Sequence, residues 1–191
     1  MSYKPPRVVI DACCLYPFHL RNVLVQCAVD RLIVAHWTHD IHDEWVRNLI
    51  AKTPGLTRER LERTKTAMDA AVSGALITGH HVHIPNINIR DPDDRHVVAA
   101  GIEAGASAIV TWNLRDFPSA ELARHGLRAV DPDTLMLELY VSVPWILVES
   151  LANARRNLTI SETTASEFAE TLKQQKLTRF AAEMQKHLLD L

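Results

Sequence analysis

No apolar run in this 191-residue chain approaches the roughly 20 residues that a bilayer-spanning helix needs. The opening Met-Ser-Tyr-Lys-Pro-Pro holds no apolar core segment, so it does not read as a secretory signal and a cytoplasmic protein is expected. Cysteine is scarce: Cys13, Cys14 and Cys27 are odd in number, two are adjacent, and no Cys-x-x-Cys occurs. A disulfide framework and a thiolate zinc site are thereby disfavoured, and the three read as small core residues in a reducing compartment. Charge of one sign is also lacking. The formal net charge is −2, so any contact with nucleic acid must come from a local basic patch. The absence of Gly-x-x-x-x-Gly-Lys removes the phosphate-loop nucleotidases.

What is present suits one domain with a small appendage: 47% of residues are apolar and 23% charged, enough for an ordinary core. Short apolar runs at Arg7–Asp11, Leu32–Trp37, Ala108–Thr111 and Leu127–Val130 predict buried parallel strands. Helical spacing is predicted over Phe18–Val29, after Thr38, after Thr57, from Asp91 to Gly105, over Ser119–Gly126 and over Asp133–Val141. Leu76–Pro85 alternates and predicts an extended segment, which would point His80 and His81 to opposite faces. Strands alternating with helices imply an α/β fold with a mostly parallel sheet covered on both faces. From Pro144 onward only helical periodicity is visible, so the division expected is residues 1–140 as the α/β domain and 141–191 as a helical extension.

Four acids sit where chemistry is expected. Asp11 and Asp116 follow strands, and ligand sites of open α/β sheets lie past the carboxyl ends of strands. Glu44 lies beside the apolar stripe of its helix, and Asp94 opens another helix. Each also has a structural reading: Asp11 as a turn residue, Glu44 as a dipole-complementing acid, Asp94 as a cap. Convergence distinguishes the readings. Four carboxylates at ~4 Å spacing repel by several kcal/mol per pair at an effective dielectric of ~20. They must take up protons or hold a cation, and an all-oxygen donor set favours Mg²⁺ or Mn²⁺. Asn113 lies close enough in sequence to reach the same corner. A histidine from the pair His39 and His42 could also reach it, whereas His80, His81 and His83 lack a matching set of ligands nearby.

These residues resemble the PIN-domain family, and within it the VapC-type toxin nucleases. The resemblance rests on Val8-Val9-Ile10-Asp11, on His42-Asp43-Glu44-Trp45, and above all on two stretches. One is Asp91-Pro92-Asp93-Asp94-Arg95-His96-Val97-Val98-Ala99-Ala100, the other Thr111-Trp112-Asn113-Leu114-Arg115-Asp116-Phe117-Pro118. It covers about residues 5–140. The resemblance implies a three-layer α/β/α sandwich with a C-terminal helical extension outside the core pattern. It implies a Mg²⁺- or Mn²⁺-dependent endoribonuclease that attacks a phosphodiester in line with an activated water, leaving a 5′-phosphate and a 3′-hydroxyl. Asp11, Glu44 and Asp94 match the family's three core acids and Asp116 its fourth; other members carry Asp where this chain has Asn113. Thr111 would help hold the site through its hydroxyl, and Arg115 would contact a phosphate. The implied partners are RNA and a cognate antitoxin, with a homodimer open and no membrane.

Two other readings compete. A haloacid-dehalogenase-like phosphatase also starts from an Asp after the first strand, but it needs a second Asp two residues later, where this chain has Cys13. A non-catalytic RNA-binding or interaction module on the same fold would favour fewer intact acids. Arg58, Arg60, Arg63, Lys65, Arg95 and Arg115 are the basic candidates for backbone contact, although the first four alternate with Glu59 and Glu62 as a solvated helix face would.

Overall fold

The computed structural model describes residues 3–159 and 162–191; the first two residues of the segment read against a secretory signal lie outside it. Four short parallel strands form one sheet in the order β2-β1-β3-β4. They are β1 (Arg7–Ile10), β2 (Val34–His36), β3 (Ala108–Val110) and β4 (Arg128–Val130). The register pairs Val9 with His36 on one side and with Ile109 on the other, and pairs Ile109 with Ala129. Val8, Val9, Ile10, Ile109 and Val110 are fully buried, as expected of central parallel strands covered on both faces.

The helices follow the sequence periodicity closely. A short α1 (Ala12–Leu15), which the sequence did not suggest, turns the chain out of β1 into α2 (Phe18–Val29). Then come α3 (His39–Lys52) and α4 (Arg58–Ala71), whose N-termini are capped by Thr38 and Thr57 through the N–H groups of Ile41 and Arg60. After α5 (Arg95–Glu103) follow α6 (Ser119–Arg124) and α7 (Pro132–Ser142). Asp69 of α4 accepts from Trp37 Nε1 at 2.7 Å and lies 3.2 Å from His42 Nε2, while Trp45 Nε1 donates to His42 Nδ1 at 3.0 Å. This network ties α4 to the β2–α3 corner. It also accounts for His42, which is fully buried.

Leu76–Pro85 is not the extended segment its alternation predicts. Only Leu76 forms a bridge, with Trp37. Gly79 then adopts a left-handed φ of 85° and the chain winds into a 3-10 turn over His80–Asn86. Gly79 permits that turn, and Pro85 has no N–H to give a strand ladder.

The extension consists of α8 (Pro144–Arg156), α9 (Ala165–Gln174) and α10 (Thr178–Met184). Its apolar stripes are buried within the chain: Leu147 and Leu151 of α8, Phe168 and Leu172 of α9, Phe180 and Met184 of α10 all join the continuous core. α8 packs on α2, where Asn22 Nδ2 donates to Ala154 O at 2.7 Å. Asp133, in the first turn of α7, accepts from the Phe180 N–H at 2.9 Å and from Arg179 Nε at 2.8 Å, and so fastens the start of α10. Among the described residues, no helix is long and apolar enough to cross a membrane.

Candidate active site

The carboxyl ends of β1 and β3 lie side by side, and the residues that leave them meet. Asp11 continues β1 by donating its N–H to Val110 O at 3.0 Å. Its side chain is only 2% exposed. Oδ2 accepts from Thr111 Oγ1 at 2.6 Å and from Cys13 Sγ at 3.1 Å. Thr111 Oγ1 in turn accepts the Asn113 N–H at 3.0 Å, and Cys13 Sγ accepts the Trp112 N–H at 3.3 Å. Burial pushes the Asp11 carboxyl up and Glu44 adds to the rise, while the hydrogen bonds from Thr111 and Cys13 oppose it.

Asp94 closes a 3-10 turn, Pro92–Asp94, directly before α5. The capping work there belongs to Asp91, whose Oδ1 accepts the Asp93 N–H at 3.0 Å. Asp94 makes no cap hydrogen bond into α5, so the structural reading offered for it does not hold. Its carboxyl is pushed up to about 7 by burial, then by the charges of Asp11, Asp91, Asp116 and Glu44. The acids that the sequence separates by more than a hundred positions therefore act on one group.

Glu44, Asp94, Asn113 and Asp116 line a single cleft of about 800 Å³, together with Asp40, Asp43, Asp91 and Asp93. Asp11 is buried against Glu44 and Asp94 rather than lining the cleft. Against seven cleft carboxylates stands one arginine, Arg47, with His81 and His96 as the remaining bases. Glu44 Oε2 lies 3.5 Å from His96 Nε2. Asp116 ends a 3-10 turn, Leu114–Asp116, held by its N–H on Asn113 O at 2.9 Å. The carboxylates are oxygen donors of the kind a hard divalent cation takes, but among the described residues no three of Asp11, Glu44, Asp94 and Asp116 bring oxygens within 4.8 Å of one another.

Several expected contributors lie elsewhere. Arg115 is exposed and is not among the residues that line the cleft. His42 belongs to the Asp69 network, and neither it nor His39 lines the cleft. Arg58 and Arg63 pair with Glu62 and Glu59 along α4, and Lys65 bridges to Asp43 at 3.1 Å. Sequence reasoning missed Cys13, Arg47 and His96. Each carried a signal: Cys13 and His96 stand two residues after an acid of the site. Arg47 stands three after Glu44, which on a helix places the pair on neighbouring positions of one face.

A parallel α/β sheet with carboxylates gathered beyond its strand ends defines the class of protein. The family profile described as "PIN domain" matches residues 7–115, more than half of the chain, and the chain belongs to the PIN-domain family. That span contains Asp11, Glu44 and Asp94 and ends one residue before Asp116. Over 45 residues the chain is 42% identical to "Putative ribonuclease VapC50" of Mycobacterium tuberculosis (strain ATCC 25618 / H37Rv). The aligned stretch covers 24% of this chain and 27% of that relative. No solved structure matches the chain.

Proposed function

We infer that this chain is a cytoplasmic divalent-metal-dependent endoribonuclease, the toxin of a toxin–antitoxin pair of the VapBC kind. Membership of the PIN family and the name of the mycobacterial relative support the reading. The observation that carries it is the cleft beyond the strand ends, where Glu44, Asp94 and Asp116 gather beside the buried Asp11 among seven lining carboxylates. Uncompensated charge of this density is relieved by a cation.

Asp11, Glu44 and Asp94 would hold the principal Mg²⁺ or Mn²⁺, with Asp116 beside a second ion or a water and Asn113 at the rim. A bound divalent ion supplies an acidified water and offsets charge on the phosphate under attack. The protein's own groups do the positioning. Thr111 and Cys13 fix the rotamer of Asp11 through Oδ2. His96 approaches Glu44 Oε2 and restrains that carboxylate. Arg47 supplies the cleft's arginine for a phosphate oxygen, the role that the resemblance implies for Arg115.

For the antitoxin, the chain offers a groove of about 580 Å³ between α2 and the α3–α4 pair, lined by Phe18, Val25, Val29, Leu49, Leu56 and Met68. Phe18 is 56% exposed there. An apolar helix of the partner would cover it. The test is cleavage of RNA with and without Mg²⁺ or Mn²⁺, with sequencing of the new ends, beside Asp11→Asn and Asp94→Asn. Metal-dependent ends bearing 5′-phosphates that vanish in both variants are expected. An inert wild type, or undiminished cutting by Asp94→Asn, would leave a non-catalytic RNA-binding module as the better reading.

A further inference from the structure

A second cluster of donor atoms stands on the wall of the acidic cleft. His80 Nε2 and His81 Nε2 both approach the same oxygen, Oδ2 of Asp40, at 2.9 and 2.8 Å. One ligand atom from each residue lies within 4.8 Å of the other two. The two imidazoles lie face to face but tilted, with ring centroids 4.0 Å apart and an interplanar angle of 34°. The arrangement follows from the 3-10 turn over His80–Asn86, because a strand would have sent the two rings to opposite faces. Asp40 is in the first turn of α3, four residues before Glu44.

The geometry points to a second metal site, formed by Asp40, His80 and His81, that takes a Zn²⁺-class ion rather than Mg²⁺. Two imidazole nitrogens and one carboxylate oxygen are the donor types of zinc sites with three protein ligands, which leave a fourth position open. Imidazole suits zinc and its neighbours in the first transition row, whereas all-carboxylate sets suit Mg²⁺ and Mn²⁺. In a tetrahedral zinc site neighbouring donors stand about 3.3 Å apart, so the oxygen needs to withdraw from each nitrogen by only a few tenths of an ångström. His80 is 3% exposed, and its Nδ1 has no partner among the described residues. With Nε2 on an ion, that Nδ1 carries the ring's proton, and the ion replaces the hydrogen bond that Nε2 makes with Asp40 in the metal-free protein. His81 is 63% exposed at the side chain and leaves the fourth position within reach of water.

Asp40 and His81 line the cleft that Glu44 and Asp94 also line. An ion held there adds two positive charges to a cleft whose lining includes Arg47 and whose Asp43 is paired with Lys65, and provides a place for a phosphate oxygen. The site goes beyond the nuclease reading and does not depend on it.

Purified full-length protein is titrated with Co²⁺ and with Zn²⁺ alone, in excess Mg²⁺, and the visible spectrum and the Zn²⁺ affinity are read. Expected are one equivalent of Co²⁺ with the intense absorption of four-coordinate nitrogen ligation, and its persistence in Asp94→Asn. His81→Ala, on an exposed ring that the fold does not need, should lose the band and weaken Zn²⁺ by about tenfold or more, since losing a ligand is at least as costly as losing its supporting partner. His80→Gln should do the same. Failure to bind Zn²⁺ in excess Mg²⁺, or a His81→Ala protein with an unchanged band and affinity, overturns the site. Loss of binding in Asp94→Asn alone would assign the ion to the acidic centre and overturn it equally. Neither result bears on RNA cleavage, which is read separately.

Discussion

The hydroxyl of Thr111 donates to the buried carboxylate of Asp11 at 2.6 Å and joins the ends of the two central strands. The same oxygen accepts the Asn113 N–H. Replacing Thr111 by Val keeps the shape and removes both bonds. Partners that orient metal-holding carboxylates typically cost 10–100-fold in metal affinity or activity when lost. We expect Thr111→Val to cut RNA about 10–100-fold more slowly and Thr111→Ser to remain close to wild type. Rates measured at saturating Mn²⁺ separate a binding defect from a positioning one.

Asp94 gives the metal-free protein a pH dependence of known sign. Its ordinary value of 3.8 rises to about 7 in the folded state. Between those values the folded chain binds a proton that the unfolded chain has released, so this group makes the protein more stable as the pH falls through that window. Above about pH 7 the contribution is adverse and constant. Asp94→Asn should therefore raise the melting temperature of chelator-treated protein at pH 8 and raise it by clearly less at pH 5. Saturating Mg²⁺ should raise the wild type's melting temperature at pH 8 more than the variant's. A variant advantage that is equal at both pH values would contradict the assignment.

Asp69 anchors α4 through Trp37 and His42. Asp69→Ala strips the partner from a fully buried indole N–H and from a fully buried imidazole. Each stranded group costs about 1–3 kcal/mol, so a loss of roughly 2–6 kcal/mol is expected. Urea unfolding monitored by tryptophan fluorescence will measure it. Because α4 forms one wall of the apolar groove, weakened antitoxin binding should accompany the loss.

Asp133 holds the start of α10 by two N–H groups and one guanidinium. We expect Asp133→Ala to cost about 1–3 kcal/mol and to raise amide exchange first in α9 and α10. Ending the chain at Val143 exposes the faces of α2 and α7 that α8 and α10 cover. Such a protein should aggregate; a soluble, fully active one would make the extension dispensable.

Much of this was legible in the sequence because the signals were local. The strands at Arg7–Ile10 and Ala108–Val110 are continuous apolar runs, and Thr38 and Thr57 cap the helices they precede. Glu44, Asp94 and Asp116 reach one cleft because strand ends and helix starts share an edge. What stayed hidden depended on pairs distant in the chain or on backbone detail. Cys13 reads as a core residue, and its thiol's bond to Asp11 depends on how the chain leaves β1. The convergence of His80 and His81 on Asp40 follows from the left-handed turn at Gly79, which alternation alone concealed. The apolar stripes after Pro144 said that those helices bury a face, but not that α2 and α7 receive it.

The central pairing of β1 with β3 has a consequence in time as well as in space. It joins Val8 to Ala108, and no contact between nearby residues can stand in for it. Closing so long a loop is slow compared with forming the helices between its ends. During synthesis Asp11 is made 83 residues before Asp94 and 100 before Thr111, and waits without them for that interval. No nascent fragment that stops short of β3 possesses the assembled cleft. On the nuclease reading proposed above, a ribosome making this protein carries a chain without an assembled cleft until β3 has emerged, and a partner that bound α2–α4 would have that interval in which to meet it.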